Sequence, residues 1–321
     1  MITRTSIFTT AFSLLLLLFA CTDGMHDEAL LVPKTVEEDS SLPSVFINGR
    51  HLHAEAFGNP NNTLIVCVHG GPGADYRYLL NAKDLAKHGY RVVFYDQTGS
   101  GLSQRYHKSY YDNLDIDDIF ITELRGVIAK YKTNPNQKVI LLGHSWGAML
   151  ATAYAGKYPS EIAGLALFEP GGLQWDDVIT YIMNSQTSGA GGESLEGNSH
   201  EILDYNMSLA ASADNINTGD PGLKPEDFWR MGAILQMVAI EKGEKSKPDF
   251  STNIGQFTKP VFFGYGDNKA YPDSWAQKIS SPFNNKNLHK FNNTGHSGMF
   301  TNKEIWTHST LPKLLNYFKS L

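Results

Sequence analysis

The chain predicts an α/β fold, in which a mostly parallel sheet carries helices on both faces and receives a helical insertion. Three observations lead there. Strand-like apolar runs alternate with segments of helical spacing from Val45 to Pro170. A Gly143-His144-Ser145-Trp146-Gly147 element joins one such run to the helix after it. The alternation then stops between Trp175 and Lys247 and resumes beyond. Strands alternating with helices build parallel sheets, because each crossover helix must lie on a sheet face.

Each element follows from its own pattern. "SVFINGRHLHAEAFG" alternates around Asn48-Gly49 and predicts a β-hairpin. "TLIVCVHG" is apolar without alternation, as expected of a strand buried on both faces. "YLLNAKDLAKHG" has helical spacing and a glycine stop. "YRVVFYD", "KVILLG" and "IAGLALFEP" predict further strands, with helices over "LDIDDIFITELRGVIAKY" and "WGAMLATAYAGKYP". Within the insertion, "PEDFWRMGAILQMVAIEKG" places Phe228, Met231, Ile234, Leu235 and Val238 on one stripe behind Pro225, which predicts a single long helix. The core resumes with the strand "KPVFFGYG", a helix around "SWAQKI", the strand "NLHKF" and a last helix, "EIWTHSTLPKLLNYFKSL". The expected organisation is a core of 44–174 and 248–321 with a helical cap of 175–247.

The N-terminus reads differently. "MITRTSIFTTAFSLLLLLFAC" has an early Arg4 and a leucine-rich run too short to span a bilayer comfortably, the pattern of a secretory signal. "LFAC" resembles a bacterial lipoprotein signal, which implies acylation at Cys21 and attachment to the cell envelope. Residues 22–43 are polar, with two prolines, and predict a tether. With Cys21 lipidated, Cys67 has no disulfide partner and is expected to be a buried, inert thiol. A net charge of −6 argues against nucleic acid or an anionic membrane surface as main partner.

The chemistry centres on Ser145. A G-x-S-x-G element between strand and helix lifts a serine hydroxyl clear of the sheet on a sharp turn. Such a hydroxyl needs a base and an acid that orients the base. His296, in the loop after "NLHKF", is the expected base. Asp267, after "KPVFFGYG", is the expected acid; Glu169 in "LFEPGG" is its rival, or else a residue that pairs with the cap or with a substrate amine. Gly-Glu-x-Asp is frequent in loops of this kind, and on that frame the acid would fall near Asn268 or Lys269. Acyl transfer also needs two backbone N–H groups for the developing oxyanion. Trp146 follows the nucleophile and supplies one. The other is expected from His69-Gly70-Gly71-Pro72-Gly73, where glycine lets a substrate approach the backbone. Gly70 and Gly71 both suit, Gly71 is chosen, and His69 is expected to fix the loop. No His, Glu and Cys cluster at metal-ligand spacing is apparent, so no metal or organic cofactor is expected.

"HGGPG" at 69–73, "DQTGSGLS" at 96–103, "GHSWG" at 143–147, Asp267 and "GHS" at 295–297 together resemble an α/β-hydrolase of the proline iminopeptidase type. The resemblance runs from Val45 to the C-terminus. It implies a serine enzyme that releases an N-terminal proline, or a similar residue, from peptides, with acidic groups of the cap holding the free amine. Two features depart from the pattern. Thr98 stands where the family usually has arginine, and the family's Trp-Glu-rich cap signature is not recognisable. Glu193, Glu196, Glu201, Glu226, Glu241 and Glu244 lie in the cap, and none has an assigned role. The expected substrate is therefore a small peptide or, alternatively, a small ester, lactone or amide. A non-catalytic, lipid-anchored binding protein is the remaining reading.

Overall fold

Asn48 and Gly49 take φ angles of 50° and 82°, the two positive values that a tight hairpin turn requires. They join β1 (Ser44–Ile47) to β2 (Arg50–Phe57) in antiparallel register. The computed structural model describes residues 30–185, 199–213 and 227–321. Strand β2 lies antiparallel to β4 (Tyr90–Tyr95), and from there the sheet is parallel. The other strands are β3 (Thr63–Val68), β5 (Val139–His144), β6 (Gly164–Phe168), β7 (Val261–Gly266) and β8 (Lys286–Phe291). The eight-stranded order is β1-β2-β4-β3-β5-β6-β7-β8. The order reverses beside β3, between β4 and β5, and such switch points open a crevice at the carboxyl ends of the strands.

Burial explains the apolar runs. In β3, Leu64, Val66 and Val68 face one buried cluster, and Ile65 and Cys67 face the other. Helices α1 (Ile116–Tyr131) and α2 (Trp146–Lys157) cover the first face. A 3-10 helix, Arg77–His88, ends at the left-handed Gly89 and packs on the second. Burial pushes the Cys67 thiol far up, which keeps it protonated and inert.

The last predicted helix is interrupted. A turn at Lys303–Ile305 runs into a π-helical segment, Trp306–Thr310, before a regular helix at Leu311–Lys319. Pro312 accounts for the break, since it has no N–H and its ring crowds the preceding turn.

Helices α3 (Trp175–Ser185), α4 (His200–Ala213) and α5 (Ala233–Ser246) lie between β6 and β7. A bridge between Gln174 and Asp249 brings the roots of this insertion together. Of the expected long helix, Pro225 lies outside the described residues, residues 228–232 are irregular, and regular helix starts only at Ala233. The reason is competition for backbone donors. Asp75 accepts the N–H groups of Trp229 (2.5 Å) and Arg230 (3.0 Å), and the Gly73 carbonyl accepts that of Gly232 (2.6 Å). Buried Asp204 of α4 then gathers Arg105 (3.0 Å), Arg230 (2.7 Å) and the Ala233 N–H (3.0 Å).

The tether also needs correction where it is described. Thr35 and Val36 are buried, the Val36 N–H donates to Leu102, and Arg230 donates to the Pro33 carbonyl. The chain from Val32 onward belongs to the folded unit. Cys21 and the predicted signal lie outside the described residues.

Candidate active site

Ser145 sits between β5 and α2 at φ 55° and ψ −123°, a conformation that costs free energy for any side-chain-bearing residue. Its two glycines make the turn possible. A Cβ at Gly147 would stand 2.0 Å from the Val68 carbonyl oxygen, and one at Gly143 would stand 2.5 Å from that of Gly147.

The glycine loop after β3 faces this turn. A Cβ on Gly70 would lie 3.0 Å from the Ser145 Cβ, so any side chain there would crowd Ser145. His69 is wholly buried and structural. Its Nδ1–H donates to the Gly70 carbonyl (2.8 Å), and its Nε2 accepts the Gln97 N–H (3.0 Å). Gln97 also donates to the His69 carbonyl (2.9 Å) and accepts the Trp146 indole N–H (3.1 Å). Behind the loop, Asp96 accepts the N–H groups of Tyr76 (3.0 Å) and Leu102 (2.8 Å) and pairs with His53 (2.8 Å). Thr98 donates its hydroxyl and N–H to buried Glu123. Burial pushes the Glu123 carboxyl up to about 7, against the lowering effect of those bonds.

A second connection runs from Gly70 through Tyr78 and His144 to His296. The Gly70 N–H donates to the Tyr78 hydroxyl (2.8 Å), which donates to His144 Nδ1 (2.7 Å). His144 Nε2–H donates to the carbonyl of His296 (2.8 Å). Burial, with His296 beside it, holds His144 well below the usual histidine value, so it stays neutral. Nothing in the sequence marks Tyr78 for this position.

The expected pairing of His296 with Asp267 is not the one the structure shows. His296 Nδ1 lies 2.6 Å from Glu169 Oε2, and Glu169 is completely buried. Asp267 instead points to solvent, 54% exposed, with Lys290 3.2 Å from its carboxylate. The loop after β7 serves Glu169 rather than replacing it. The Gly266 N–H (2.5 Å) and the Asn268 side-chain amide (3.0 Å) both donate to Glu169 Oε1. Asn268 occupies one of the places where the loop frame expected an acid, and that substitution was the available signal. The Tyr181 hydroxyl of α3 also lies 3.1 Å from His296 Nδ1.

Ser145, His296, Gly70, Gly71 and Trp146 border one cavity of about 260 Å³. The insertion walls it with Trp175, Val178 and Ile182 from α3 and with Ala239 and Ile240 from α5, joined by Phe228 and Met231. Among the described residues, no Asp, Glu, Lys or Arg lines it. Glu241 pairs with Lys108 and Lys245, and Glu244 with Lys247 and the Trp175 indole. Glu201 is not part of the wall, and Glu193, Glu196 and Glu226 lie outside the described residues. No cluster of three His, Cys, Asp or Glu side chains suited to a metal ion occurs among the described residues.

The profile of the family described as alpha/beta hydrolase fold matches residues 63–303. A proline iminopeptidase of Saccharolobus solfataricus is 39% identical over 107 residues, 33% of this chain and 32% of that protein. The chain thus spans about a third of the length of the iminopeptidases it first matches. The AB hydrolase superfamily protein YfhM of Bacillus subtilis is 28% identical over 64% of this chain and 75% of its own. The proline iminopeptidase structure from Mycobacterium smegmatis superposes with a TM-score of 0.57 at 17% identity, covering 86% of this chain and 97% of its own.

Proposed function

Because the chain belongs to the alpha/beta hydrolase fold family, we propose that it is a serine hydrolase working through Ser145, His296 and Glu169. The observation that carries this reading is the 2.6 Å contact between His296 Nδ1 and a wholly buried carboxylate, with Ser145 and His296 bordering the same cavity. His296 donates Nδ1–H to Glu169, which leaves Nε2 to take the Ser145 proton as Oγ attacks the acyl carbon. The Gly70 N–H is engaged by Tyr78, so Gly71 and Trp146 are the donors that meet the oxyanion. Collapse of the tetrahedral adduct breaks the bond to the leaving group, which takes the proton from His296. Water, deprotonated by the same histidine, then releases the acid and restores the serine.

The apolar wall supports a neutral, largely apolar acyl group, carried as a small ester, lactone or amide. The second reading is release of an N-terminal residue from peptides, favoured by the "HGGPG" loop and by the iminopeptidase relatives. One comparison tests both: a proline aminoacyl amide, its N-acetylated form and a short-chain ester, with Ser145→Ala as control. Turnover of the ester and the acetylated amide supports the first reading. Turnover of the free-amine substrate alone overturns it in favour of the second. Attachment to the cell envelope through Cys21 is a separate proposal. Loss of radiolabelled fatty acid from a Cys21→Ala protein would support it, and labelling that persists in that variant would refute it.

A further inference from the structure

The residues after β6 read Glu169-Pro170-Gly171-Gly172, and this short segment brings two groups to one histidine. Glu169 reaches His296 Nδ1 directly (2.6 Å). The two glycines then let α3 pack close over the strand end. A Cβ on Gly172 would stand 2.5 Å from the Val178 nitrogen, and one on Gly171 would stand 2.9 Å from the ring of Tyr181. Tyr181 is buried in the slot this leaves, with Tyr271 edge-on to its ring (centroids 5.9 Å apart) and its hydroxyl 3.1 Å from His296 Nδ1. Tyr271 is held to the same segment, donating its hydroxyl to the Pro170 carbonyl (3.0 Å). Val178, Tyr181 and Ile182 all border the cavity, so the helix that walls it also touches His296. Phenylalanine would fill the same slot; the oxygen is what tyrosine adds.

We infer that Tyr181 is a positioning residue: its oxygen shares the Nδ1–H of His296 with Glu169 and steadies the imidazolium that forms as Ser145 gives up its proton. The inference rests on the serine-hydrolase reading and adds to it a group supplied by the insertion. With its proton on Nδ1, His296 has no lone pair there, so a hydroxyl at that distance can only accept. One N–H can serve two acceptors, and the shorter contact to Glu169 dominates. The second acceptor counts for most once the ring is charged, because hydrogen bonds to ionised groups are about twice as strong. An interaction that strengthens in the transition state raises kcat and leaves KM nearly unchanged. Two acceptors from different elements also fix the plane of the ring, and with it the direction of Nε2. Among the described residues, the titratable groups against the ring are Glu169 after β6, neutral His144 of β5 and Tyr181 of α3; Asp267 pairs with Lys290 at the surface.

The test compares wild type with Tyr181→Phe on p-nitrophenyl butanoate or proline p-nitroanilide, whichever the wild type turns over faster, with thermal melts to show that both proteins are folded. In the variant kcat should fall about tenfold, the lower end of what a hydrogen bond to a charged group contributes, with KM within about twofold. Losing an acceptor makes the imidazolium easier to deprotonate. The acid limb of the kcat/KM profile, which reports the base of the free enzyme, should therefore move to lower pH, by about one unit for a tenfold loss. A folded variant with wild-type kcat, or with a raised KM alone, overturns the inference. So does a lower kcat with an unmoved acid limb, the result that lost packing would give. If Tyr181→Phe does not fold, Tyr181→Met is measured in its place, and the same results decide. Failure of the wild type on both substrates, or turnover that survives in Ser145→Ala, would instead overturn the serine-hydrolase reading beneath it.

Discussion

Replacing Glu169 with glutamine should lower kcat by about 10⁴, the loss seen when a triad acid becomes its amide, or about 5.4 kcal/mol. The surroundings of Glu169 explain why an isosteric change should be so severe. Its Oε1 accepts two donors, the Gly266 N–H and the Asn268 amide, and its Oε2 faces His296. Glutamine has one oxygen, and the two donors hold it in the Oε1 position. Its NH2 group then faces His296 Nδ1, which must accept instead of donate. The imidazole proton moves to Nε2, and the base can no longer take the serine proton. Asp267→Asn alters only an exposed pair with Lys290 and should leave kcat within twofold. The assay is steady-state hydrolysis of a short-chain ester by both variants, with thermal melts to show that each is folded. A folded Glu169→Gln protein keeping more than a tenth of wild-type kcat would refute the assignment, and so would a matching loss in Asp267→Asn.

Ser145→Ala and His296→Ala should each remove turnover by about a millionfold, as in comparable triads, measured on the ester that wild type cleaves fastest. Tyr78→Phe strips a partner from both the buried Gly70 N–H and His144 Nδ1; it should cost about 1–3 kcal/mol of stability, seen as a lower urea midpoint, and an unchanged midpoint would count against the connection. Glu123 carries a pH signature. Its folded value of about 7 stands above the ordinary 4.5, so the stability it contributes is complete below pH 4.5 and is lost as pH rises through 7. Relative to Glu123→Gln, the wild type should lose about 3 kcal/mol between those limits; unfolding curves of both proteins at pH 4.5 and 8 that differ equally would refute this.

Much of the fold was legible because strands buried on both faces must be apolar throughout, as Leu64–Val68 is, and because Asn48-Gly49 admits few other conformations. Ser145 and His296, which border one cavity, are marked by local motifs. Glu169 was harder: it and Asp267 both end core strands, and only tertiary packing shows which carboxylate reaches His296. Asn268 is informative in hindsight, since an amide in the acid's usual neighbourhood can donate to a carboxylate coming from the adjacent strand. The long insertion helix failed for a related reason. Its stripe of Phe228 and Met231 has helical spacing, yet both are buried in an irregular segment in which Asp75 captures the N–H groups of Trp229 and Arg230. The end of the predicted tether likewise gave no compositional hint that Arg230 would reach Pro33.

Gly232 sits where a Cβ would stand 2.1 Å from the Gly99 carbonyl oxygen, so the root of α5 rests against the loop that also braces His69 and Trp146. That contact divides the insertion into two kinds of territory for protein engineering. Changes on α3 can reshape the cavity wall and, apart from Tyr181, leave the loops around Ser145 and His296 alone. Changes at the start of α5 are transmitted to loops 70–75 and 97–103 through backbone contacts. Libraries seeking new substrates should therefore diversify Val178 and Ile182 first, and grafts from relatives should exchange residues 228–236 only together with loops 70–75 and 97–103.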